Sequence, residues 1–449
     1  MKKLKFIKKT ISVILAVLIA FACCFVTASA ETVDFRTPTS TEQANLRFAL
    51  KLGTSYRDAP SPPVFADGYL VVMSGKTLYK IDAENGKIIK QAEMSETPSF
   101  SYTPITYSDG VIYCPLDNGI VQAFDFKTLK SKWVYKDALG GQSLTGIVVS
   151  DGKAYTGFWN DETEKANYVC ISTKDEEKKS THEEKSAVWT YTHKGGFYWA
   201  KSVVTGDYII FGSDDGTVYD NKESSVFCFN KETGELADSI KIMGDQRSGI
   251  TFDKDTSKLY FATKAGYLYS VKFSKGAFDD SSLKKLSLGG ASTSTPAISD
   301  GRIYIGVQEE SFGKGYLKII DDESMKILHS VSMKGYPQNE VTLSVQDNKT
   351  FVYSTYNASP GGISIVDVSA DKVSATDLFV PDEGMRNYCI SPIEVSEDGT
   401  LFYKNDSGYI FAIENIENME ETNAFFAFFI DIFEAIASFF KSIFSFIGI

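Results

Sequence analysis

Apolar and polar residues alternate with a period of two in short runs along most of this chain, and the runs recur in groups. TLYKID begins at Thr77, IVQAFD at Ile120, YVCIS at Tyr168, VFCFN at Val226, YLYSVK at Tyr267, YLKIID at Tyr316, ISIVDV at Ile363 and YIFAIE at Tyr409. Such alternation marks a strand with one buried face. Ahead of each run stand a short strand, a turn of the Asp-Gly type, a second strand ending in Tyr or Phe, and a hairpin. The clearest copies are SDGVIYCPLDNGIVQAFD at 108–125, SDGRIYIGVQEESFGKGYLKIID at 299–321 and EDGTLFYKNDSGYIFAIE at 397–414. Less regular copies begin near Asp67, Asp151, Gly206, Asp253 and Asp347. A unit this small cannot bury its apolar face alone, so the repeat predicts radially stacked sheets.

Fourth strands follow, as in KSKWVYK from Lys130 and AVWTYTH from Ala187, but the last unit lacks one. NLRFALKLG at 45–53 supplies it, and pairing the first strand with the last closes the ring and leaves no free edge. The expectation is therefore an all-β, eight-bladed β-propeller of four-stranded antiparallel blades over 45–416. At about 46 residues per blade, one large ring absorbs roughly 370 residues. Residues 1–30 read as a signal peptide, 31–44 as a linker, and 417–449 as an acidic linker followed by a hydrophobic C-terminal helix.

The N-terminus sets the expected compartment. Lys2, Lys3, Lys5, Lys8 and Lys9 precede an apolar run at 11–26, and Ala28-Ser29-Ala30 offers a small-residue cleavage site. Ala20, Phe21 and Ala22 fit poorly to a lipoprotein signal before Cys23. Cleavage removes five lysines and no acid, which takes the formal charge from -12 to -17. An acidic extracytoplasmic surface argues against nucleic acid and favours solubility, cations or basic partners. Of six cysteines, Cys23 and Cys24 leave with the signal. Cys114, Cys170, Cys228 and Cys389 fall inside apolar strands of four blades, where they read as free buried thiols.

The chain from Asn45 to Ile416 resembles the PQQ-binding-like β-propeller repeat proteins. The likeness rests on the strand after Asp-Gly, the Gly hairpin, the strand closing on Asp and the strand carrying Lys-x-x-Trp, all present in DGVIYCPLDNGIVQAFDFKTLKSKWVY at 109–135. The resemblance implies one of two roles: quinoprotein alcohol dehydrogenase, or noncatalytic scaffolding like that of the propeller lipoprotein of outer-membrane assembly. For the dehydrogenases it implies calcium, a catalytic Asp, an adjacent-cysteine disulfide and a Trp plate over the quinone. The only adjacent cysteines here are Cys23 and Cys24, and the chain has four tryptophans, of which Trp133 and Trp189 read as packing residues. The noncatalytic branch is the better match, with no cofactor.

Other catalytic patterns fail. His182, His193 and His329 share no spacing, and GSDDG at 212–216 with Asp220 reads as a hairpin turn rather than a calcium loop, so no metal site is expected. KDEEKKSTHEEKS at 174–186, charged and without apolar anchors, reads as a solvated, mobile loop. The candidate ligand site is the channel mouth, rimmed by the loops that lead into the innermost strands. These loops carry Arg57, Tyr102, Gln142, Tyr198, Trp199, Lys201, Gln246, Arg247, Gln338, Asn339, Arg386, Asn387 and Tyr388. Amide, guanidinium and aromatic groups there suit a binding mouth, while the bland reading is a wet and therefore polar channel entrance. An enzyme would need a clustered acid and base, and these loops offer only Asp58 as a carboxylate.

From Asn423 onward the tail carries nine Phe and six Ile. Asp431, Glu434, Ser438, Lys441 and Ser445 step by three and four, placing the polar groups on one helical stripe. Phe425, Phe428, Phe429, Phe433, Phe440 and Phe444 are the expected membrane or partner contacts. Three charges make a span unfavourable, so lying in the membrane surface is preferred; self-association or docking on a partner stays open. The sequence reading is a noncatalytic envelope propeller that binds protein, peptide or glycan. The alternative is an envelope enzyme acting through the channel mouth.

Overall fold

The computed structural model describes residues 36–418 except 181, 219–220 and 310–312. Thr37–Ile416 is one compact unit. It contains eight sheets, each built on an antiparallel four-stranded meander; the strands of a meander are consecutive except in the third sheet, where a short segment leaves to join its neighbour, and in the last. Blades 1 to 7 occupy 64–93, 106–136, 148–194, 203–243, 251–287, 297–333 and 342–379. Blade 8 takes its three inner strands from 394–415 and its outer strand from Ala44–Lys51, which pairs antiparallel with Tyr409–Asn415. The closure expected from the sequence is thus in place, with Leu50 opposite Ile410 and Ala44 opposite Asn415.

The repeated Asp-Gly turns have a local cause. Asp67, Asp109, Asp151 and Asp300 have φ between 48° and 50°, and the glycine after each is also positive. Two successive positive values make the type I′ turn whose twist matches a tight hairpin. Where a third strand ends in an acid, that acid caps the following turn. Asp125 Oδ1 accepts from the Thr128 amide and hydroxyl, Asp321 Oδ1 from those of Ser324, and Asp82 Oδ1 from the Glu84 amide.

Large side chains on the second strands wedge each blade onto the next. Tyr113 packs with Ile147 and Ala154 of the following blade, Tyr304 with Val341 and Val352, and Phe402 with Leu70 and Val72 across the closure. Burying such a ring is worth roughly 2–3 kcal/mol. Trp133 and Trp189 do pack between blades, donating from Nε1 to Thr173 O (3.3 Å) and Lys231 O (3.0 Å). The four described cysteines are free and buried.

Two features depart from expectation. The insertion at 174–186 is not simply a solvated loop: Glu183–Lys185 adds a fifth strand, parallel to Ser131–Lys136, on the outside of blade 2. Glu183 anchors it, buried, accepting from the amides of Glu176 and Glu177 and pairing with Lys185. Residues 37–43, read as linker, lie against blade 7, where Thr37 Oγ1 bonds to Ser344 Oγ and Tyr353 Oη. Among the described residues no helix is long and apolar enough to cross a membrane. The signal segment and the Phe-rich tail, including Phe425, Phe428, Phe429, Phe433, Phe440 and Phe444, lie outside the described residues.

Candidate functional site

Because each blade is an antiparallel meander, its connections alternate between the two ends of the ring. The loop entering the first strand and the hairpin between the second and third therefore share one face. On that face an aromatic cluster spans blades 2 to 4. Phe100 stacks on Tyr102 (5.1 Å between centroids), Tyr102 meets Trp199 edge-on (5.0 Å), Trp199 touches Tyr198 (5.0 Å), and Tyr198 meets Trp159 edge-on (5.0 Å). Trp199 has φ of 58°, a left-handed value that is rare for a bulky residue and costs about 1–3 kcal/mol. Its carbonyl accepts from the Lys201 amide (2.6 Å), a tight reversal that holds the indole at the rim.

Arg247 stands beneath this cluster, its Cζ 4.4 Å from the Tyr198 ring centre and 5.9 Å from that of Trp159. Its Nε donates to Asp214 Oδ1 (3.0 Å), and Nη2 lies 3.3 Å from Glu162 Oε1 and 3.5 Å from Asp245 Oδ2. Trp159 Nε1 also donates to Asp214 Oδ2 (3.2 Å). Burial pushes the Asp214 carboxyl up to about 7; Arg247 opposes the shift, while Asp245 and Glu162 add to it. Burial raises Asp245 and lowers Lys264 alongside. Arg247 is thus a buried pillar locking the hairpins of blades 3 and 4 to the loop entering blade 5.

The axial channel opens beside Tyr102 and Trp199 and has a volume of about 770 Å³. Hydrogen bonds stitch its wall: Thr106 Oγ1 donates to Ile147 O (2.7 Å), Thr251 Oγ1 to Pro296 O (2.5 Å) and Thr342 Oγ1 to Ile393 O (3.0 Å). Strand register places these threonines at one level, with Thr106 opposite Tyr113, Thr251 opposite Tyr260 and Thr342 opposite Tyr353. The equivalent residues are Val203 opposite Ile210 in blade 4 and Glu394 opposite Phe402 in blade 8. Two residues earlier in each blade, the channel is lined by Pro62, Pro104, Pro392, Gly146, Gly249 and Thr295, and by two charges, Lys201 and Glu340. The Lys201 stem lies over Gly146, where a Cβ would come within 3.2 Å of its Cγ. Glu340 reaches channel water yet has protein on most sides, so burial raises its carboxyl and Lys201 counters the shift. Burial likewise raises Glu394, opposed by the Phe65 amide (3.2 Å) and by Lys201.

The residues expected at the mouth divide accordingly. Tyr102, Tyr198, Trp199, Lys201 and Asn339 come together at the rim and upper wall. Gln246 is fully buried and donates to Ser248 O (2.5 Å), Gln338 Oε1 accepts from Asn357, and Asn387 donates to Asp406 O (3.0 Å), so these three brace loops. Gln142 pairs through its backbone with Trp159 (2.8 and 3.1 Å). Arg386 donates to Pro381 O, and Tyr388 is exposed. Arg57 lies in the short turn Tyr56–Asp58, and its side chain is outside the described residues. The expectation that Asp58 is the mouth's only carboxylate does not hold, because Glu162, Asp214, Asp245, Glu340 and Glu394 converge there or just below.

Residues 43–161 match the family model described as outer membrane protein assembly factor BamB. No curated protein matches the sequence. Among solved structures, BamB from Moraxella catarrhalis is similar with 13% identity and a TM-score of 0.58, covering 83% of this chain and 99% of that one. Quinohemoprotein alcohol dehydrogenase ADHIIG from Pseudomonas putida HK5 is similar with 12% identity and a TM-score of 0.62, covering 84% and 78%. Saccharomyces cerevisiae Sqt1 gives 11% identity, a TM-score of 0.60, and coverage of 83% and 99%. At these identities the likeness is one of fold. On its repeats, its strand closure and these matches, the chain is an eight-bladed β-propeller whose residues 43–161 match the BamB family model, similar in architecture to that assembly factor and to a quinohemoprotein alcohol dehydrogenase alike.

Proposed function

We propose that this propeller is a noncatalytic binding scaffold of the cell envelope, whose ligand face is the rim formed by Tyr102, Tyr198 and Trp199. The observation that carries the reading is Trp199, held in a left-handed backbone so that its ring stands beside the channel opening. Rigid aromatic surface next to a cavity is what recognition of a protein, peptide or glycan uses. The basic and apolar N-terminal pattern supports an extracytoplasmic location, and the Phe-rich tail supports attachment at the membrane surface.

The quinone of the dehydrogenase relatives finds a poor fit. Cys114, Cys170, Cys228 and Cys389 sit singly in strands of different blades, so the described residues offer no adjacent-cysteine pair. No three described His, Cys, Asp or Glu side chains gather as a metal centre. The alternative of an envelope enzyme acting through the mouth draws on Glu340 and Glu394, whose carboxyls burial raises. Asp214, the other raised carboxyl, is already engaged by Arg247 and Trp159.

The test uses peptide and glycan arrays probed with the parent chain and with Trp199→Ala and Tyr102→Ala. Loss of about 1–2 kcal/mol of ring contact per variant predicts roughly tenfold weaker binding of whichever ligand the parent selects. Binding unchanged in both variants would remove this rim from consideration.

A further inference from the structure

Lys201 and Glu340 face the axial channel without touching each other, although Lys201 is near enough to counter the upward shifts of Glu340 and Glu394. Among the described residues, neither the Lys201 ammonium nor the Glu340 carboxylate has a hydrogen bond or an ion pair, and both line the same cavity. They occupy the same level of the wall in blades 4 and 7, three blades apart in a ring of eight. Glu394, diametrically opposite in blade 8, stands two residues further along its strand, about 6–7 Å deeper. Its carboxylate accepts a single hydrogen bond, from the Phe65 amide.

We propose that this channel binds a short zwitterionic peptide, its terminal carboxylate held by Lys201 and its terminal ammonium by Glu340 and Glu394 across the cavity. The inference rests on the binding role proposed above and names its ligand. Opposite charges spaced around one cavity of mixed polar and apolar lining, without direct contact, attract a ligand carrying the complementary charges at matching ends. An inorganic anion would answer only Lys201, and a simple cation only the glutamates. A polybasic segment would satisfy the acids but place like charge against Lys201. Beside the charged positions the wall offers the half-buried rings of Pro104 and Pro392, which suit the side chains of a peptide. A cavity of about 770 Å³ lies in the range that takes a ligand of several residues.

Calorimetry with the full secreted chain tests this, using trialanine with free termini, N-acetyl-trialanine and trialanine amide as probes. Free trialanine is expected to bind, and capping either end to weaken it at least about tenfold. Lys201→Gln should abolish the penalty of the amide alone, and Glu340→Gln with Glu394→Gln the penalty of the acetyl group alone. None of these three side chains closes an ion pair, so the variants are expected to fold, which circular dichroism verifies. Absence of trialanine binding up to roughly 10 mM, or equal affinity for free and capped peptides, overturns the inference. Should that happen while binding that depends on Trp199 persists on the arrays, the rim reading stands and only the peptide assignment falls.

Discussion

Arg247→Met removes the one guanidinium that serves Asp214, Glu162 and Asp245, and leaves three carboxylates in a buried pocket. Breaking a buried ion pair from one side costs about 3–5 kcal/mol, because the remaining charge keeps its desolvation without its partner. For a unit of this size, roughly 2 °C of melting temperature accompanies each kcal/mol, so a fall of roughly 6–10 °C is expected at pH 8. The loss should also depend on pH with a definite sign. Asp214 titrates near 7 in the folded chain against an ordinary value of 3.8, so between those limits the folded state holds a proton that the unfolded state has released. Stability contributed by this group is therefore greatest at low pH and falls as pH rises toward 7. Without Arg247 the Asp214 and Asp245 carboxyls are pushed higher still, so protonation at pH 5 relieves more of the variant's strain than the parent's. The deficit should shrink there to about 1–2 kcal/mol, the worth of the lost hydrogen bonds. Thermal unfolding followed by circular dichroism at pH 8 and pH 5 provides the assay, with Arg247→Lys expected to recover part of the loss. A variant melting within about 2 °C of the parent at pH 8, or a deficit that grows on acidification, would refute the reasoning.

Two further outcomes follow from packing. Gly234→Ala meets both a φ of 72° and the Trp189 indole, whose Cγ would lie 2.5 Å from the new Cβ, whereas Gly68→Ala meets a φ of 80° with nothing within 4 Å. The first should lose about 2–4 kcal/mol and the second about 1 kcal/mol in denaturant titration; equal losses would discredit the steric account. Burial pushes the thiols of Cys170, Cys228 and Cys389 up to about 12, and that of Cys114 upward as well. In a chain starting at residue 31, none should react with Ellman's reagent in the native state at pH 8 and all four should react in guanidinium. A rapidly labelled native thiol would contradict the packing.

The ring was legible because its signals are local. Asp-Gly turns, alternating strands and the missing fourth strand of the last unit each lie within a few residues, and the match of 45–53 to that gap needs only counting. The acidic pocket was not legible. Glu162 and Asp214 lie 85 and 33 residues from Arg247 in hairpins that read individually as turns, and Asp245 stands two residues away in the same loop. Only the stacking of blades 3, 4 and 5 brings them together. Glu183–Lys185 escaped notice for a different reason: its pairing with Ser131–Lys136 is made by the backbone, so a wholly charged stretch shows no alternation. Glu340 was hidden by register. The first hairpin of blade 7 runs two residues longer, to Gln346 opposite Lys349, so counting back from its turn misplaces Glu340 relative to Lys201.

The latch formed by Ala44–Lys51 and Tyr409–Asn415 also governs when this protein can mature. Joining segments some 360 residues apart carries a loop-closure penalty of about 5 kcal/mol, and no contact offsets it until the final module has left the ribosome. Every shorter nascent arc ends in an open strand edge. Newly made chains should therefore need shelter from one another throughout synthesis, and a premature stop upstream of Tyr409 should leave a sticky product instead of a smaller working one.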